Sequence, residues 1–233
     1  MALSITTSTS GRPESAETRT ARTGALFIAF EGVEGSGKST QIGLVAEALR
    51  AAGVEPVVTR EPGGTAAGEA IRSVALDGDL DLDAVAELLL MLAARSVFVR
   101  RVVRPALEAG RIVLTDRYEL SSFAYQGGGR GLPLDKVREL NRLATGGLSP
   151  DLSVLLDVDI EKGQGRKRTD AADRIEGEDT SFHSRVAAAY RDLATREANV
   201  ALIDGRVEIQ QVFAAVWQAL SSRFPETFPP RKG

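Results

Sequence analysis

The sequence contains no cysteine and only one histidine, His183, among its 233 residues. The lack of cysteine excludes disulfides, thiolate zinc sites and cysteine nucleophiles, and a single histidine excludes a histidine-rich metal site. No uninterrupted apolar run approaches the roughly 18 residues that a transmembrane helix requires. The N-terminus also lacks the hydrophobic segment of a secretory signal, so we expect a cytoplasmic protein.

A strong excess of either charge is also missing. The net charge is -3, from 29 Lys and Arg against 32 Asp and Glu. Such a chain has no global cationic field that would attract nucleic acid or the phosphates of a membrane. We therefore expect small-molecule partners, with no nucleic acid and no membrane.

The two ends of the chain differ from the rest. Residues 1–24 are rich in Ser, Thr, Ala and Arg, which is typical of a disordered extension. Residues 223–233 carry prolines that block helix continuation, so we expect a loose tail. The folded domain should then span residues 25–222.

Short apolar runs alternate with helical patterns along this domain. The runs are ALFIAF (25–30), EPVVT (55–59), RIVLTD (111–116), LSVLLDV (152–158) and ALID (201–204). Continuous apolar strands that alternate with helices indicate a parallel sheet covered on both faces. The sequence therefore predicts one α/β domain with five core strands, flanked by helices.

The helical segment from Ala86 to Gly110 has five consecutive apolar residues, Leu88 to Leu92. At 3.6 residues per turn these side chains point in all directions, so one buried face cannot cover them all. Either another helix of the chain or a symmetric partner subunit must cover the remainder.

The segment GVEGSGKS, Gly32 to Ser39, matches the phosphate-binding pattern G-x-x-x-x-G-K-S/T. It follows a predicted strand and opens a predicted helix, which is the context that this pattern requires. Its glycines let backbone N–H groups converge on phosphate oxygens, Lys38 can reach the β and γ phosphates, and Ser39 can ligate Mg²⁺. The predicted ATP-binding residues are Gly32, Val33, Glu34, Gly35, Ser36, Gly37, Lys38, Ser39 and Thr40.

A carboxylate, Glu34, lies inside this phosphate-binding loop. Two negative charges at close range repel by about 4 kcal/mol at an effective dielectric of 20, so Glu34 should point away from the nucleotide phosphates. It should face a second substrate, unless it is a solvated side chain at the loop tip. The chain has no Asn-Lys-x-Asp segment, which a GTPase needs to read guanine.

Three further segments, together with the phosphate-binding loop, resemble one family. They are TREPGGTAAGEAIR (59–72), DRYELSSFAYQGGGRG (116–131) and GRKRTDAADRIE (165–176), in an order and spacing similar to those of thymidylate kinases. The resemblance extends from Leu26 to about Leu220. It implies a P-loop fold of the nucleoside monophosphate kinase type, and transfer of the γ-phosphoryl group of ATP to dTMP with Mg²⁺, a step of dTTP biosynthesis.

The resemblance also implies an acceptor site. Glu34 would contact the 3'-hydroxyl of the sugar, Asp116 would assist Mg²⁺ with Ser39, and Arg117 would bind the acceptor phosphate or the transferring group. Arg95 would recognise thymine, although it could instead pair with an acid such as Glu87. The remaining implied substrate-binding residues are Arg60, Glu61, Ser122, Tyr125 and Gln126. Tyr125 could instead be a core aromatic, and the glycine run at 126–131 reads as a flexible turn.

One position departs from the family pattern. Four residues before Arg95 the family usually has a phenylalanine that stacks on the base, whereas this chain has Met91. A thioether can still cover the face of a ring, so phosphorylation is expected, and Met91 bears on how strictly dTMP is preferred over dUMP.

Basic residues concentrate in a predicted lid at about residues 161–176. The loop at Glu34 to Ser36 has no arginine, so the cation that stabilises the transferring group must come from elsewhere. The resemblance points to Arg166 or Arg168, supported by Arg174, alongside Lys38 and Arg117 as catalytic residues. Asp173 and Glu176 match acids that face the acceptor.

Two alternatives stay open from the sequence. The chain could be another nucleoside or nucleotide kinase of the same fold, acting for example on dUMP, or an ATP-binding regulatory module. The resemblance and the apolar helix both favour a homodimer.

Overall fold

The fold is built around a five-stranded parallel sheet, and the computed structural model describes residues 24–159 and 173–230. The strands are β1 (Phe27–Glu31), β2 (Val57–Arg60), β3 (Val113–Asp116), β4 (Leu152–Asp157) and β5 (Val200–Asp204). They lie in the order β2-β3-β1-β4-β5, and all pairs are parallel. The prediction of an α/β domain with five parallel strands is confirmed.

The three central strands and the two edge strands differ in burial. β1 is buried along its whole length, whereas Val58 on β2 is 47% exposed and Leu202 on β5 is 49% exposed. The sequence indicated buried strands throughout. An edge strand has a neighbour on one side only, so its side chains have less to pack against.

Helices cover both faces of the sheet. They are α1 (Lys38–Ala51), α2 (Ala66–Leu76), α3 (Ala84–Phe98), α4 (Arg104–Glu108), α5 (Glu119–Ser122), α6 (Leu134–Thr145), α7 (Thr180–Arg196) and α8 (Ile209–Arg223). α1 and α8 pack against one face, where Ile28, Phe30 and Trp217 share a core. The other face is covered by α3, α6 and α7, so both faces of the parallel sheet are buried as this sheet type requires.

Helix α3 begins at a capped terminus, where the Asp83 side chain accepts a hydrogen bond of 2.7 Å from the backbone N–H of Ala86. Its apolar run is divided between two environments. Leu88 and Leu92 are buried, whereas Leu89 is 52% exposed. No helix of the described residues therefore covers the whole run. The helix continues through a π-helical stretch, Val99–Val103, into α4.

The glycine run at 126–131 is not a flexible turn, as the sequence suggested. Residues Phe123–Gly129 form a π-helical segment that packs against α7. A Cβ at Gly128 would lie 2.4 Å from Cβ of Ala189, and one at Gly129 would lie 2.6 Å from a ring carbon of Phe182. These glycines therefore allow the two helical segments to approach closely.

The C-terminal segment is packed as far as the structure describes it. Phe228 is fully buried, and the indole N–H of Trp217 donates a hydrogen bond of 2.9 Å to the carbonyl of Pro229. The expectation of a loose tail therefore does not hold for residues 224–230. The predicted N-terminal extension, up to residue 23, lies outside the described residues. None of the helices in the described ranges is both long and apolar enough to cross a membrane.

We predict that Phe228→Ala lowers the free energy of unfolding by about 3–5 kcal/mol, because the change removes a large buried ring and leaves a cavity. Denaturant unfolding of the purified variant measures this loss. Glu226→Ala, an exposed position two residues earlier, is the matched control and should change stability by less than about 0.5 kcal/mol. Equal stability of the two variants would contradict the packing of this segment.

Candidate active site

The loop between β1 and α1 is shaped by the backbone of its glycines. Gly32 has a φ of +136°, and a Cβ there would lie 2.6 Å from the carbonyl oxygen of Leu156. Only glycine fits such a close approach to the neighbouring strand. The loop is therefore held against the end of the sheet, and its last residues open α1, where backbone N–H groups can meet an anion.

Lys38 is buried at the start of α1. Its ammonium donates hydrogen bonds to the carbonyls of Gly32 at 3.2 Å and Val33 at 3.0 Å. Burial of the ammonium, together with the positive charge of Arg117, lowers the pKa of Lys38 from 10.5 to about 8. The lysine is thus folded over the loop, within reach of a phosphate bound there.

A hydroxyl and a carboxylate lie together where β3 ends beside the phosphate-binding loop. The hydroxyl of Ser39 donates a hydrogen bond of 2.9 Å to a carboxylate oxygen of Asp116. The described residues contain no cluster of three or more His, Cys, Asp or Glu side chains that could enclose a metal ion by themselves. A hydroxyl and one carboxylate beside a phosphate loop fit Mg²⁺, which prefers oxygen ligands and takes most of them from water and phosphates.

Arg117 follows directly after β3 in a strained conformation. Its φ of +71° makes it the one non-glycine residue with a positive φ among the described residues. Its guanidinium donates to the carbonyl of Gly32 at 3.0 Å, to the hydroxyl of Tyr125 at 3.3 Å and to the carboxylate of Glu34 at 3.2 Å. This one side chain therefore joins the phosphate-binding loop to the segment after β3.

The surroundings of Arg117 keep it charged and fixed. Burial opposes the charge, but Tyr125, Tyr190 and Glu34 raise the pKa of Arg117 well above its usual value. At the end of β1, the buried carboxylate of Glu31 accepts hydrogen bonds from the backbone N–H of Tyr118 at 2.8 Å and from the hydroxyl of Tyr190 at 3.1 Å. The end of β1 thereby anchors the loop that carries Arg117.

Two cavities meet at this point. A cleft of about 930 Å³ runs along the phosphate-binding loop, and a smaller cavity of about 140 Å³ opens beside it. The residues that line both are Glu34, Glu61, Arg72, Arg117, Asp173 and Glu176. Because they share this wall, a group held in the cleft and a molecule held in the cavity would be neighbours.

Arg95, from α3, is buried in the wall of the smaller cavity. Its Nε donates to Glu61 at 2.7 Å, and Nη1 donates to Ser122 at 3.0 Å and to Asn141 at 2.9 Å. Nη2 donates to the carbonyl of Tyr118 at 2.8 Å. A guanidinium has five N–H groups, so four are used and one, on Nη2, remains for a molecule in the cavity. Arg95 pairs with Glu61 and not with Glu87.

Two buried polar atoms of residues that line the smaller cavity have no hydrogen-bond partner within the described part of the chain. They are Oε1 of Glu61 and Nε2 of His183. Burial raises the pKa of Glu61 from 4.5 to about 7, although the charge of Arg95 opposes this shift. A buried polar atom without a hydrogen-bond partner costs free energy, and a polar ligand that bonds to it removes this cost. Both atoms therefore favour a polar ligand in the smaller cavity.

Most residues expected in the site line one of the two cavities. The cleft is lined by Glu34, Gly35, Ser36, Gly37, Lys38, Ser39, Thr40, Arg60, Glu61, Asp116, Arg117, Asp173 and Glu176. The smaller cavity is lined by Glu34, Glu61, Met91, Arg95, Arg117, Ser122, Tyr125, Gln126, Asp173 and Glu176. Gly32 and Val33 contribute through the carbonyls that hold Lys38.

Two arginines lie elsewhere than expected from the sequence. Arg60 lines the cleft but not the smaller cavity, and it is an exposed residue paired with Glu69 at 3.2 Å. Arg174 lines neither, because its guanidinium donates to the buried carboxylate of Glu87 at 2.7 Å. Arg166 and Arg168, with most of the predicted lid, lie outside the described residues.

Sequence reasoning missed several residues of the site. Arg72 lines both cavities, Tyr190 accepts a hydrogen bond from Arg117, and Glu31 accepts hydrogen bonds from Ser121 and Tyr190 beside it. The signal for Glu31 was present, since a charged residue that ends a wholly apolar strand needs buried partners. Arg72 and Tyr190 lie on ordinary helical patterns, and only the packing of their helices brings them to the site.

Comparisons with known proteins agree on one family. A family model described as "Thymidylate kinase" matches residues 30–216. A thymidylate kinase of Deinococcus radiodurans is 46% identical over 200 residues, which is 85% of this chain and 97% of that protein. One of Thermomicrobium roseum is 48% identical over 198 residues, which is 84% of this chain and 94% of that protein.

A solved structure gives the same result. The crystal structure of thymidylate kinase from Ehrlichia chaffeensis superposes with a TM-score of 0.70 at 32% sequence identity. The match covers 84% of this chain and 99% of that one.

We predict that ADP binding at pH 8 is accompanied by uptake of about half a proton per site by Lys38, and that uptake by this side chain is smaller at pH 7. The reason is that the pKa of Lys38, about 8 in the free chain, rises when phosphate charge approaches it. Calorimetric titrations in buffers of different ionisation enthalpy measure the uptake. Lys38→Arg, which stays charged, is the control and should show none. Identical heats for the unsubstituted chain in all buffers at pH 8 would refute the assignment.

Proposed function

The chain belongs to the thymidylate kinase family, and from this premise we propose that it transfers the γ-phosphoryl group of ATP to dTMP. The products are ADP and dTDP, a step towards dTTP. The chain is accordingly a nucleoside monophosphate kinase. The cytoplasmic location expected from the sequence stays a prediction.

The shared wall of the two cavities carries this proposal. Direct phosphoryl transfer requires the donor and the acceptor to lie in line and close together, because catalysis rests on positioning and on electrostatic stabilisation. Glu34 and Arg117 lie on the boundary and are joined to each other at 3.2 Å. ATP would occupy the cleft and dTMP the smaller cavity.

The charges at the boundary suit different parts of the acceptor. The guanidinium of Arg117 would bind the dTMP phosphate and the transferring group. The carboxylate of Glu34 would then turn to the 3'-hydroxyl of the sugar, where an acceptor is useful and negative charge does no harm. Arg60 would supply further positive charge from the cleft, and Asp173 and Glu176 would face the acceptor.

The base would lie against the wall formed by α3 and the segment after β3. The remaining N–H of Arg95 would donate to an exocyclic carbonyl of thymine. Met91 would cover a face of the ring with its thioether, which is a soft and polarizable contact. Ser122 and Tyr125 would complete the enclosure, since both line the same cavity.

Mg²⁺ fits the oxygen groups of Ser39 and Asp116. These two residues would hold the ion together with phosphate oxygens. When bound, Mg²⁺ neutralises charge that develops on the β and γ phosphates. Lys38 would contact the same phosphates. The cation that stabilises the transferring group would be Arg166 or Arg168, as the sequence predicts, and Arg174 stays a predicted supporting residue.

A coupled assay of ADP release tests the function. With ATP and Mg²⁺, we expect turnover with dTMP to exceed turnover with dCMP, dGMP and AMP by at least about 100-fold, because the cavity walls match thymine. Turnover with dUMP tests how strictly Met91 preserves the preference for thymine. Nucleotide binding without turnover of dTMP would refute the proposal and favour a regulatory module.

We propose further that the chain forms a homodimer through the outer sides of α2, α3 and α6. Helix α3 packs against both α2 and α6, and each of the three helices carries an exposed apolar side chain. These side chains are Val74, Val85, Leu89 and Leu143. A second copy that covers this surface would remove the apolar area from water.

We predict that Leu89→Glu converts the dimer to a monomer, because a carboxylate would be buried without a partner. Light scattering coupled to gel filtration measures the mass. The matched control is Leu202→Glu on β5, since Leu202 is 49% exposed and Leu89 is 52% exposed. A monomeric unsubstituted chain at high concentration, or a variant at Leu89 that keeps the mass of two chains, would refute the interface.

A further inference from the structure

Glu87 is a buried carboxylate that the proposed reaction does not use. It lies in the first turn of α3, has no exposed surface, and lines neither cavity. Its two oxygens accept hydrogen bonds from Gln126 at 2.8 Å, Arg130 at 2.8 Å and Arg174 at 2.7 Å. A charge this deeply buried persists only when its partners are fixed.

These partners keep Glu87 ionised. Burial alone would raise the pKa of Glu87, but hydrogen bonds from Arg130 and Gln126 lower it below its usual value. An ionised carboxylate has no proton to donate and can only accept hydrogen bonds. Of the two ends of the Gln126 amide, the NH₂ end must therefore face Glu87.

The opposite end of that amide is then also fixed. Gln126 is 2% exposed and lines the smaller cavity. Its Nε2 is turned to Glu87, and no donor among the residues of the described ranges reaches its Oε1. The carbonyl oxygen is thus the hydrogen-bond acceptor that this amide can offer to a ligand.

We propose that Glu87 is a positioning residue that sets base specificity by holding the Gln126 amide with its carbonyl oxygen towards the acceptor cavity. The inference rests on the proposed function, since it concerns the base of the monophosphate in that cavity. Glu87 acts through Gln126 and does not itself touch the substrate.

The donor of Arg95 and the acceptor of Gln126 together complement an imide, which is a ring N–H beside a carbonyl group. Arg95 offers one N–H donor, and Gln126 offers one carbonyl acceptor, on the wall of the same cavity. Thymine presents a carbonyl oxygen next to a ring N–H, which complements this pair. Cytosine presents an NH₂ group next to a bare ring nitrogen, so both contacts would be repulsive.

The two arginines hold the carboxylate in place. Arg130 is itself fixed from the far side by Glu178, and its guanidinium lies 4.6 Å from the ring centre of Phe182. Arg174 also donates to the carbonyl of Ala75 at 3.1 Å. Removal of one cation should therefore leave Glu87 bonded to Gln126.

The test is the ratio of kcat/KM for dTMP to kcat/KM for dCMP. In Glu87→Gln the new amide can donate to Gln126, so the Gln126 amide can turn its NH₂ end to the cavity. We expect the ratio to fall about 100-fold, with ADP binding unchanged. Glu178→Gln is the matched control, because it also removes a carboxylate from Arg130 but does not contact Gln126, and it should keep the ratio. A ratio that is unchanged in Glu87→Gln, or that falls equally in both variants, overturns the inference.

If Glu87→Gln does not fold, a second pair of variants tests the same inference. Arg130→Met and the double variant Arg130→Met/Glu87→Gln differ only in the carboxylate, and the double variant removes one charge of each sign. Discrimination should persist in Arg130→Met and fall in the double variant, and equal ratios in the two overturn the inference. If the unsubstituted chain binds ADP but phosphorylates no monophosphate, the proposed function itself has failed.

Discussion

The site depends on the placement of one guanidinium, that of Arg117. It bonds to the carbonyl of Gly32 in the donor loop and to Tyr125 in the acceptor wall, and its backbone φ of +71° directs it there. A strained residue persists only when its surroundings stabilise it. Here that stabilisation comes from Glu31, a buried carboxylate whose hydrogen bonds hold the loop from Tyr118 onward. Phosphoryl transfer needs a fixed positive charge between two anionic substrates, and this arrangement supplies it.

The parallel sheet explains why these groups meet. The carboxyl ends of β1 and β3 lie side by side, with Phe30 opposite Asp116 in the strand register. The loop that leaves β1 leads to Lys38 and Ser39 at the start of α1, and the loop that leaves β3 carries Arg117. In open α/β sheets ligands bind in the crevice at the carboxyl ends of the strands, which is where both cavities lie.

Much of this could be predicted from the sequence, because local patterns determined it. The strand runs, the glycine-rich loop and the order of the four motifs sufficed for the fold, the family and the two substrates. What could not be predicted depends on packing between distant segments. The roles of Glu87 and Tyr190 require contacts across 39 and 73 residues, to Gln126 and Arg117 respectively. The burial of Phe228 arises from contacts with Trp217, while local composition indicated only a proline-rich tail.

Hydrogen bonds to protein atoms hold the Arg95 guanidinium in one orientation before any ligand binds. Four of its five N–H groups are bound to protein atoms, so its orientation is established when the chain folds. Little rotamer freedom is left to be lost when a base arrives, and the entropic cost of association is correspondingly small. The same rigidity means that the side chain cannot adapt to an ill-fitting base. The pocket therefore acts as a fixed template, and differences in affinity among bases reflect their direct complementarity rather than any remodelling of the wall.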